Sequence, residues 1–369
     1  MTASLSDRLS AYAAVAADHG LDAIALVPGP NFTRALGHSF MSHERPFVLV
    51  IPARGPAAAL VPNLELQSWD LVGFDGAIFD WRDQDGYDAA FAQLLAHLNI
   101  TSLGVEGQVM RVFVHHALLR AQADLRIEDA ERAISALRMI KTPQDIAAML
   151  EAIAISERAL THTLERVRLG QTEKEIEQML IQSLFAEGAD DLAFPPIVAA
   201  GDGSARPHAH ARHDYRVKAG DALLLDFGAR KNGFAADITR TVFLDHVTDE
   251  GRAVYETVLA ANMRGLEITR AGVTAHEIDD AVTGVLEASP FAVRIRTKTG
   301  HGLGREVHEA PYIMRGNHMS LPAGTVYTNE PGLYQIDNFG VRIEDDVLIT
   351  EEGYTTLTSF PKELTVLKC

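Results

Sequence analysis

Two histidines lie seven residues apart in the segment TGHGLGREVHEAP (299–311), and three glycines surround the first of them. A structural loop uses glycine where φ is positive, but it needs no histidine beside it. The pairing of His301 with His308 therefore indicates chemistry. We expect the glycines to let the backbone at His301 come close to a metal-filled cavity, while His308 is offset to reach a bound substrate.

Asp226 and Asp237 flank a second motif, which contains the hairpin signal Asn232-Gly233. A turn there places position 226 opposite 239, and 237 has the parity of 239, so both aspartates point from one face. Like charges that close raise a pKa unless a cation lies between them. Two solvated surface carboxylates are the alternative, but the apolar run LLLDFGA makes an unpaired charge at Asp226 costly. A bound metal is the more economical interpretation.

Two further acids complete the set, Glu330 in TNEPGLY and Glu344 in GVRIEDD. Four carboxylates and one histidine offer enough oxygen ligands, with one nitrogen, for two divalent ions. This donor set suits Mn²⁺ or Co²⁺ better than a lone structural zinc. Two adjacent ions lower the pKa of a bridging water and polarise a carbonyl, so the predicted chemistry is metal-assisted hydrolysis.

An internal repeat positions these acids. GQTEKEIE (170–177) and GVTAHEIDD (272–280) both read as capping boxes that begin amphipathic helices. AGDALLLDFG (219–228) resembles AGTVYTNEPG (323–332), and both end in acid-x-Gly. The offsets, 272 − 170 = 102 and 323 − 219 = 104, predict duplicated α+β halves related by a pseudo-twofold axis, with a carboxylate at matching places in each.

The chain length predicts two domains. In residues 1–135, helical and strand-like stretches alternate, which indicates an α/β domain: helices near 5–19 and 87–98, and strands at 23–27, 47–51 and 102–107. The segment LRMIKTPQDI (137–146) marks the boundary, because Thr142 can cap a helix that has Pro143 first and Asp145 in its first turn. Residues 136–369 form the second domain.

Composition excludes several classes of protein. The formal net charge of −17 disfavours nucleic acid and anionic lipid as partners. The single cysteine, Cys369, rules out an intrachain disulfide framework and suits a reducing compartment. The N-terminus reads as an amphipathic helix instead of a signal peptide, and no apolar run approaches the length of a membrane span. We expect a cytoplasmic protein.

Taken together, the ordered motifs LLLDFG…ADITRTVFL, TGHGLGREVHEAP, NEPGLY and GVRIEDD resemble the pita-bread metallopeptidases, the family of Xaa-Pro dipeptidases (prolidases), Xaa-Pro aminopeptidases, methionine aminopeptidases and creatinase. The resemblance covers about residues 140 to 365. It implies an α+β pita-bread catalytic domain preceded by a creatinase-like α/β domain, and a homodimer.

The resemblance also implies roles for individual residues. Glu330 would handle the proton of the attacking water, His208 in the Pro-His pair would assist the substrate or the tetrahedral intermediate, and His308 would contact the scissile-bond region. Arg342 matches an arginine that supports the site in proline-specific members. The ligands of two divalent ions, Mn²⁺ or Co²⁺ with Zn²⁺ as an alternative, would be Asp226, Asp237, His301, Glu330 and Glu344.

The implied activity is hydrolysis of the Xaa-Pro bond in dipeptides or short peptides with proline at the second position. The alternatives are an Xaa-Pro aminopeptidase acting on longer peptides, a hydrolase of the same fold acting on a non-peptide amide, and a binding or chaperone module. Two cations depart from the family pattern, Arg206 before Pro-His and Arg305 after GLG. Either would bind a substrate carboxylate or only offset local acidity.

Other motifs carry little weight. His210 and His213 in HAHARH could chelate zinc, but the ligand set is complete without them, and such runs are more often polar loops. GHGLG (300–304) resembles half of a nucleotide fingerprint but lacks the strand–turn–helix context. Neither a serine-hydrolase elbow nor a P-loop is present in the sequence.

Overall fold

The computed structural model describes residues 4–369, which divide into two compact units, the first ending at Arg138 and the second running from Met139 to Cys369. The first unit is an α/β domain, as predicted. Its strands form one sheet in the order β4-β3-β2-β1-β5-β6, with parallel pairs at both ends and antiparallel pairs between β1, β2 and β3. Its elements are α1 (Leu5–Asp18), β1 (Ala23–Leu26), α2 (Pro30–Leu36), β2 (Val48–Pro52), β3 (Ala58–Pro62), α3 (Leu66–Asp70), β4 (Ala77–Trp81), α4 (Asp88–Leu98), β5 (Ser102–Val105), α5 (Val112–Ala121), β6 (Arg126–Asp129) and α6 (Glu131–Met139).

The central strands of this sheet are buried on both faces. Ala23 and Ala25 belong to one hydrophobic cluster with α4 and α5, whereas Ile24 and Leu26 belong to another with α1 and α2. This alternation follows from the two-residue period of a strand. It explains why these strands read as continuous apolar runs.

The second unit begins after Arg138 and contains the predicted motifs. The Thr142 side chain and Asp145 form the capping box expected at the start of its first helix. Its elements are α7 (Pro143–Leu164), α8 (Glu173–Ala186), β7 (Asp191–Leu192), β8 (Ile197–Ala200), β9 (Ala222–Phe227), β10 (Ala229–Lys231), β11 (Phe234–Ala235), β12 (Ile238–Leu244), α9 (Asp249–Ile268), α10 (Ala275–Glu287), β13 (Gly300–Gly302), β14 (Glu309–Ile313), β15 (Val326–Asn329), β16 (Gly332–Tyr334), β17 (Gly340–Arg342), β18 (Asp345–Ile349), β19 (Tyr354–Thr356) and β20 (Val366–Leu367).

The internal duplication is visible in the backbone of the second unit. Thr172 and Thr274 cap α8 and α10, and each forms an isolated antiparallel bridge, to Arg216 and Ser320 respectively. Strands β8, β9 and β12 of the first half form a sheet, which the C-terminal strand β20 extends, and its counterpart in the second half is the sheet β14-β13-β15-β18-β19. The hairpin β9–β12 therefore corresponds to the hairpin β15–β18, and the α+β halves predicted from the repeat are confirmed.

The register of the first hairpin also follows the prediction. Lys231 pairs with Phe234 across the Asn232-Gly233 turn, and Asp226 pairs with Thr239. Asn232 and Gly233 both have positive φ, as the tight turn requires. No helix among residues 4–369 is long and apolar enough to cross a membrane.

Candidate metal centre

The five predicted ligands lie where strands of the duplicated sheets end or begin. Asp226 is the fifth residue of β9 and Asp237 immediately precedes β12, so the hairpin brings both to one buried face. His301 is the central residue of β13, Glu330 directly follows β15, and Glu344 directly precedes β18. The first half of the duplication therefore supplies two of these side chains and the second half supplies three.

The structure brings these side chains into one cluster. Ligand atoms of Asp237, His301 and Glu344 all lie within 4.8 Å of one another. The His301 Nε2 atom lies 3.2 Å from Glu330 Oε1 and 3.8 Å from Asp237 Oδ2. Asp226 lies close enough to Asp237 for its negative charge to raise the Asp237 pKa. The cluster is thus continuous from Asp226 to Glu330.

The electrostatics of the cluster fit divalent metal. Asp226 Oδ1, Asp237 Oδ1 and Glu344 Oε1 are buried and have no hydrogen-bond partner among residues 4–369. Such burial is costly for carboxylate oxygens unless a cation occupies the space between them. Burial raises the pKa of all three carboxyl groups, those of Asp237 and Glu344 most, and neighbouring carboxylates add to this rise in Asp237 and Glu344. The single positive charge of Arg342 cannot balance the negative charges of four carboxylates. The side chains and their unpartnered oxygens therefore fit bound metal cations.

His301 is held with one nitrogen free for coordination. Its Nδ1 lies 3.1 Å from the Gly302 carbonyl oxygen, which places the proton on Nδ1 and leaves the lone pair on Nε2 facing the carboxylates. A Cβ on Gly300 would lie 1.8 Å from the Thr328 carbonyl oxygen, and one on Gly302 would lie 2.3 Å from that of Ala310. These glycines permit close packing of the neighbouring strands around His301.

Glu330 differs from the other carboxylates. Burial raises its pKa, but the nearby imidazole of His301, together with the positive charges of Arg342 and Lys298, outweighs burial and lowers the pKa below its usual value. Its side chain is 18% exposed, more than those of its neighbours. Glu330 is therefore an ionised carboxylate with access to solvent, which a proton acceptor needs.

Thr239 and Tyr334, which the sequence did not single out, support the cluster together with Arg342. Thr239 Oγ1 donates to Glu344 Oε2 at 2.5 Å and accepts from Arg342 Nε at 3.0 Å. Arg342 also forms an ion pair with Asp226 and donates to the Tyr334 hydroxyl at 2.7 Å. Arg342 thus contacts one predicted ligand, Asp226, and Thr239 joins Arg342 to another, Glu344. Thr239 lies in the motif ADITRTVFL, from which the sequence predicted its pairing with position 226 but not these contacts.

His308 and His208 lie beside the cluster. The rings of His301 and His308 are perpendicular, with centroids 4.1 Å apart. Part of the His308 side chain is exposed, but its ring is partly enclosed by neighbouring atoms. This partial burial, together with the charge of His301, lowers the pKa of His308 to about 4. His208 is exposed and adds a small share to this lowering, which brings it into the neighbourhood of His308.

The loop that carries His208 is held by a buried ion pair. Glu173, the first residue of α8, is fully buried, and its carboxylate accepts hydrogen bonds from the backbone N–H of Ala200 and Arg212 and from the Arg212 guanidinium. Arg212 also binds Asp202, and the Ser204 hydroxyl accepts from the Gly340 N–H at 3.0 Å. Both ends of the loop are therefore fixed, and His210 and His213 are exposed on it.

The two unusual arginines take different positions. The Arg305 guanidinium lies 4.4 Å from the centre of the Phe234 ring, and its carbonyl accepts from Arg230. Arg206 is exposed on the loop before His208.

Comparison with known proteins decides the family. The profile of metallopeptidase family M24 matches residues 147–351, and that of the creatinase/prolidase N-terminal domain matches residues 8–140. The chain belongs to metallopeptidase family M24. It is therefore a hydrolase that uses divalent metal, built from a creatinase-type N-terminal domain and a pita-bread catalytic domain.

Its relatives in the M24 family include proline peptidases. An Xaa-Pro dipeptidase of Pyrococcus furiosus is 34% identical over 266 residues, covering 72% of this chain and 76% of the relative. The structure of a prolidase from Thermococcus sibiricus aligns over the full length of both chains with a TM-score of 0.93 and 31% identity. An X-Pro aminopeptidase from Thermotoga maritima gives a TM-score of 0.82 at 30% identity, over 96% of this chain and 98% of the other.

Proposed function

We propose that this M24 enzyme is a metal-dependent exopeptidase that hydrolyses the Xaa-Pro bond of dipeptides and short peptides. The observation that carries the proposal is the buried cluster of four carboxylates and one imidazole, in which three carboxylate oxygens have no partner. The names of the relatives direct the substrate choice to proline at the second position. The X-Pro amide nitrogen carries no N–H, so a bound proline is recognised by its ring and its carboxylate.

In this proposal Asp226, Asp237, His301, Glu330 and Glu344 hold two divalent ions, and Mn²⁺ or Co²⁺ suits this oxygen-rich set. When bound, such ions acidify a water and polarise the scissile carbonyl. We also propose a homodimer in the cytoplasm, on the strength of the family resemblance and the composition.

The chain's own residues move the protons and orient the substrate. The Glu330 carboxylate accepts the proton of the attacking water and passes it to the proline nitrogen as that nitrogen leaves. The imidazoles of His308 and His208 stand at the open side, where an N–H can donate to the carbonyl oxygen of the scissile bond. Arg342 fixes the Asp226 carboxylate, and Thr239 fixes that of Glu344.

The test is hydrolysis of Leu-Pro, Leu-Pro-Pro and Leu-Ala by metal-stripped protein, with and without added Mn²⁺ or Co²⁺. Metal-dependent release from Leu-Pro but not from Leu-Ala is the expected result, and Asp237→Asn should abolish it. A preference for Leu-Pro-Pro would shift the assignment to an aminopeptidase, the activity named for the Thermotoga maritima relative. If the metal-loaded protein cleaves no peptide, the peptidase proposal is wrong and a non-peptide amide becomes the substrate to seek.

A further inference from the structure

One exposed cation near the metal cluster has no partner of opposite charge. Lys298 lies three residues before His301 and is exposed. Among residues 4–369 it forms neither a hydrogen bond nor an ion pair. Its Nζ atom makes a cation–π contact with Tyr312, 5.8 Å from the centre of the ring. The other cation in the cluster, Arg342, is buried and paired with Asp226. Lys298 is therefore free to bind an anion that enters the site.

Tyr312 places this cation on the correct face of the sheet. It is the direct cross-strand partner of His301 in the antiparallel pair β13–β14. Side chains directly opposite in such a pair point to the same face with Cβ atoms about 5 Å apart. Tyr312 is 38% exposed, so its ring forms part of the wall of the site beside His301. The Lys298 ammonium is thus on the side from which substrate reaches the imidazole.

The backbone next to Lys298 is fixed to the cluster. The Thr299 N–H donates to Asp279 Oδ1 at 2.8 Å, and the Thr299 carbonyl oxygen accepts from the Glu330 N–H at 2.8 Å. The backbone that carries Lys298 is therefore tied directly to Glu330, while the Lys298 side chain is exposed beside Tyr312.

A free C-terminal carboxylate needs a cation in this site. With two divalent ions bound, their positive charges balance the four carboxylates, so the cluster has no net positive charge left to attract a second anion beside the scissile bond. In a dipeptide the terminal carboxylate lies one residue from the scissile bond, whereas in a longer peptide that position holds a neutral amide. A cation at the wall of the site would favour the first kind of substrate over the second.

We propose that Lys298, held against the face of Tyr312, binds the C-terminal carboxylate of the substrate and so sets the preference for dipeptides. This inference rests on the proposed function. It replaces the two arginines considered from the sequence, because Arg305 lies over Phe234 and Arg206 lies on the loop before His208.

The experiment compares Leu-Pro with Leu-Pro amide, which lacks the negative charge, in metal-loaded protein. For Lys298→Met we expect the KM for Leu-Pro to rise roughly 10- to 100-fold with little change in kcat, the loss of one charge-assisted contact. Cleavage of Leu-Pro amide should not change. Lys298→Arg keeps the charge and should retain most of the preference.

The matched control is Lys218→Met. Lys218 is also exposed, and its Nζ atom also lies 5.8 Å from the centre of a tyrosine ring, that of Tyr215. This variant should leave both substrates unaffected. Inhibition by L-proline and L-prolinamide gives an equilibrium readout: only the inhibition constant of proline should weaken in Lys298→Met.

Different outcomes separate the two proposals. If the wild-type protein cleaves neither substrate with metal bound, the proposed function is wrong and this inference falls with it. If the wild type prefers Leu-Pro and Lys298→Met keeps that preference, or loses activity equally toward both substrates, only the role of Lys298 is refuted.

Discussion

The hydroxyl of Thr239 offers a test of how the metal site is held, because it joins two buried charged groups. Its Oγ1 donates to Glu344, which is 1% exposed, and accepts from Arg342, which is 3% exposed. Thr239→Val keeps the shape and removes both bonds. Hydrogen bonds to charged groups contribute about 1.5 to 3 kcal/mol each, so the free energy of unfolding should fall by about 3 to 6 kcal/mol.

The same change should weaken metal binding. Residues that orient metal ligands typically contribute a factor of about 10 to 100 to affinity. We expect a loss of that size when Mn²⁺ or Co²⁺ is titrated calorimetrically into metal-free Thr239→Val. Thr239→Ser restores the hydroxyl and should recover most of the affinity.

Thr241→Val is the matched control for this titration. Thr241 lies two residues further along β12, is equally buried, and bonds only to the backbone of Arg342, donating at 3.0 Å and accepting at 3.2 Å. Thr241→Val should lower the free energy of unfolding by about 1 to 3 kcal/mol, because it removes two neutral hydrogen bonds. The metal affinity should be nearly unchanged. Equal weakening of metal binding by both valine variants, or none by Thr239→Val, would refute the reasoning.

Two other buried ion pairs lead to further predictions. Lys141 and Glu309 form an ion pair at 2.5 Å, and both side chains are 2% exposed. Lys141→Met alone should therefore lower the free energy of unfolding by about 3 to 5 kcal/mol, and adding Glu309→Leu should recover most of that loss, both measured by urea denaturation. A double variant no more stable than the single one would contradict this prediction. Arg212→Met should lower kcat on the order of 10- to 100-fold, because the loop that carries His208 loses its ion pair with Glu173. The metal affinity measured by titration should not change. A parallel loss of metal affinity would show that this ion pair supports the whole site.

Local rules made part of this structure predictable. The Asn232-Gly233 turn and the two-residue period of strands were enough to place Asp226 opposite Thr239. The capping boxes at Thr172 and Thr274 marked the starts of two equivalent helices. Because the chain repeats these signals at a nearly constant offset, the duplication could be seen without any long-range contact.

Contacts between distant segments were not predictable in the same way. Arg342 pairs with Asp226, 116 residues earlier, and Thr239 reaches Glu344 across 105 residues. Nothing in the local sequence distinguishes Thr239 from the equally buried Thr241, because only the packing of β12 against the segment before β18 decides which hydroxyl meets a carboxylate. Lys298 was missed for the same reason, since its value depends on the cross-strand pairing of Tyr312 with His301.

The first unit shows a similar division. Its helical and strand-like stretches indicated an α/β domain, but the sheet order β4-β3-β2-β1-β5-β6 was not deducible. Strand order depends on which apolar faces pack together, and β1, β2 and β3 are buried on both faces. β4 alternates intermediate and exposed positions before its buried Trp81, which is the pattern of an edge strand.

The division of the cluster between the two halves has a consequence for the order of assembly. Asp226 and Asp237 are synthesised well before His301, Glu330 and Glu344, and the unpaired oxygens face each other only after both halves have folded and docked. A chain that has folded only its first half can therefore offer metal no more than two carboxylates. The chain can therefore complete its metal centre only after the segment that ends at Glu344 has joined the first half.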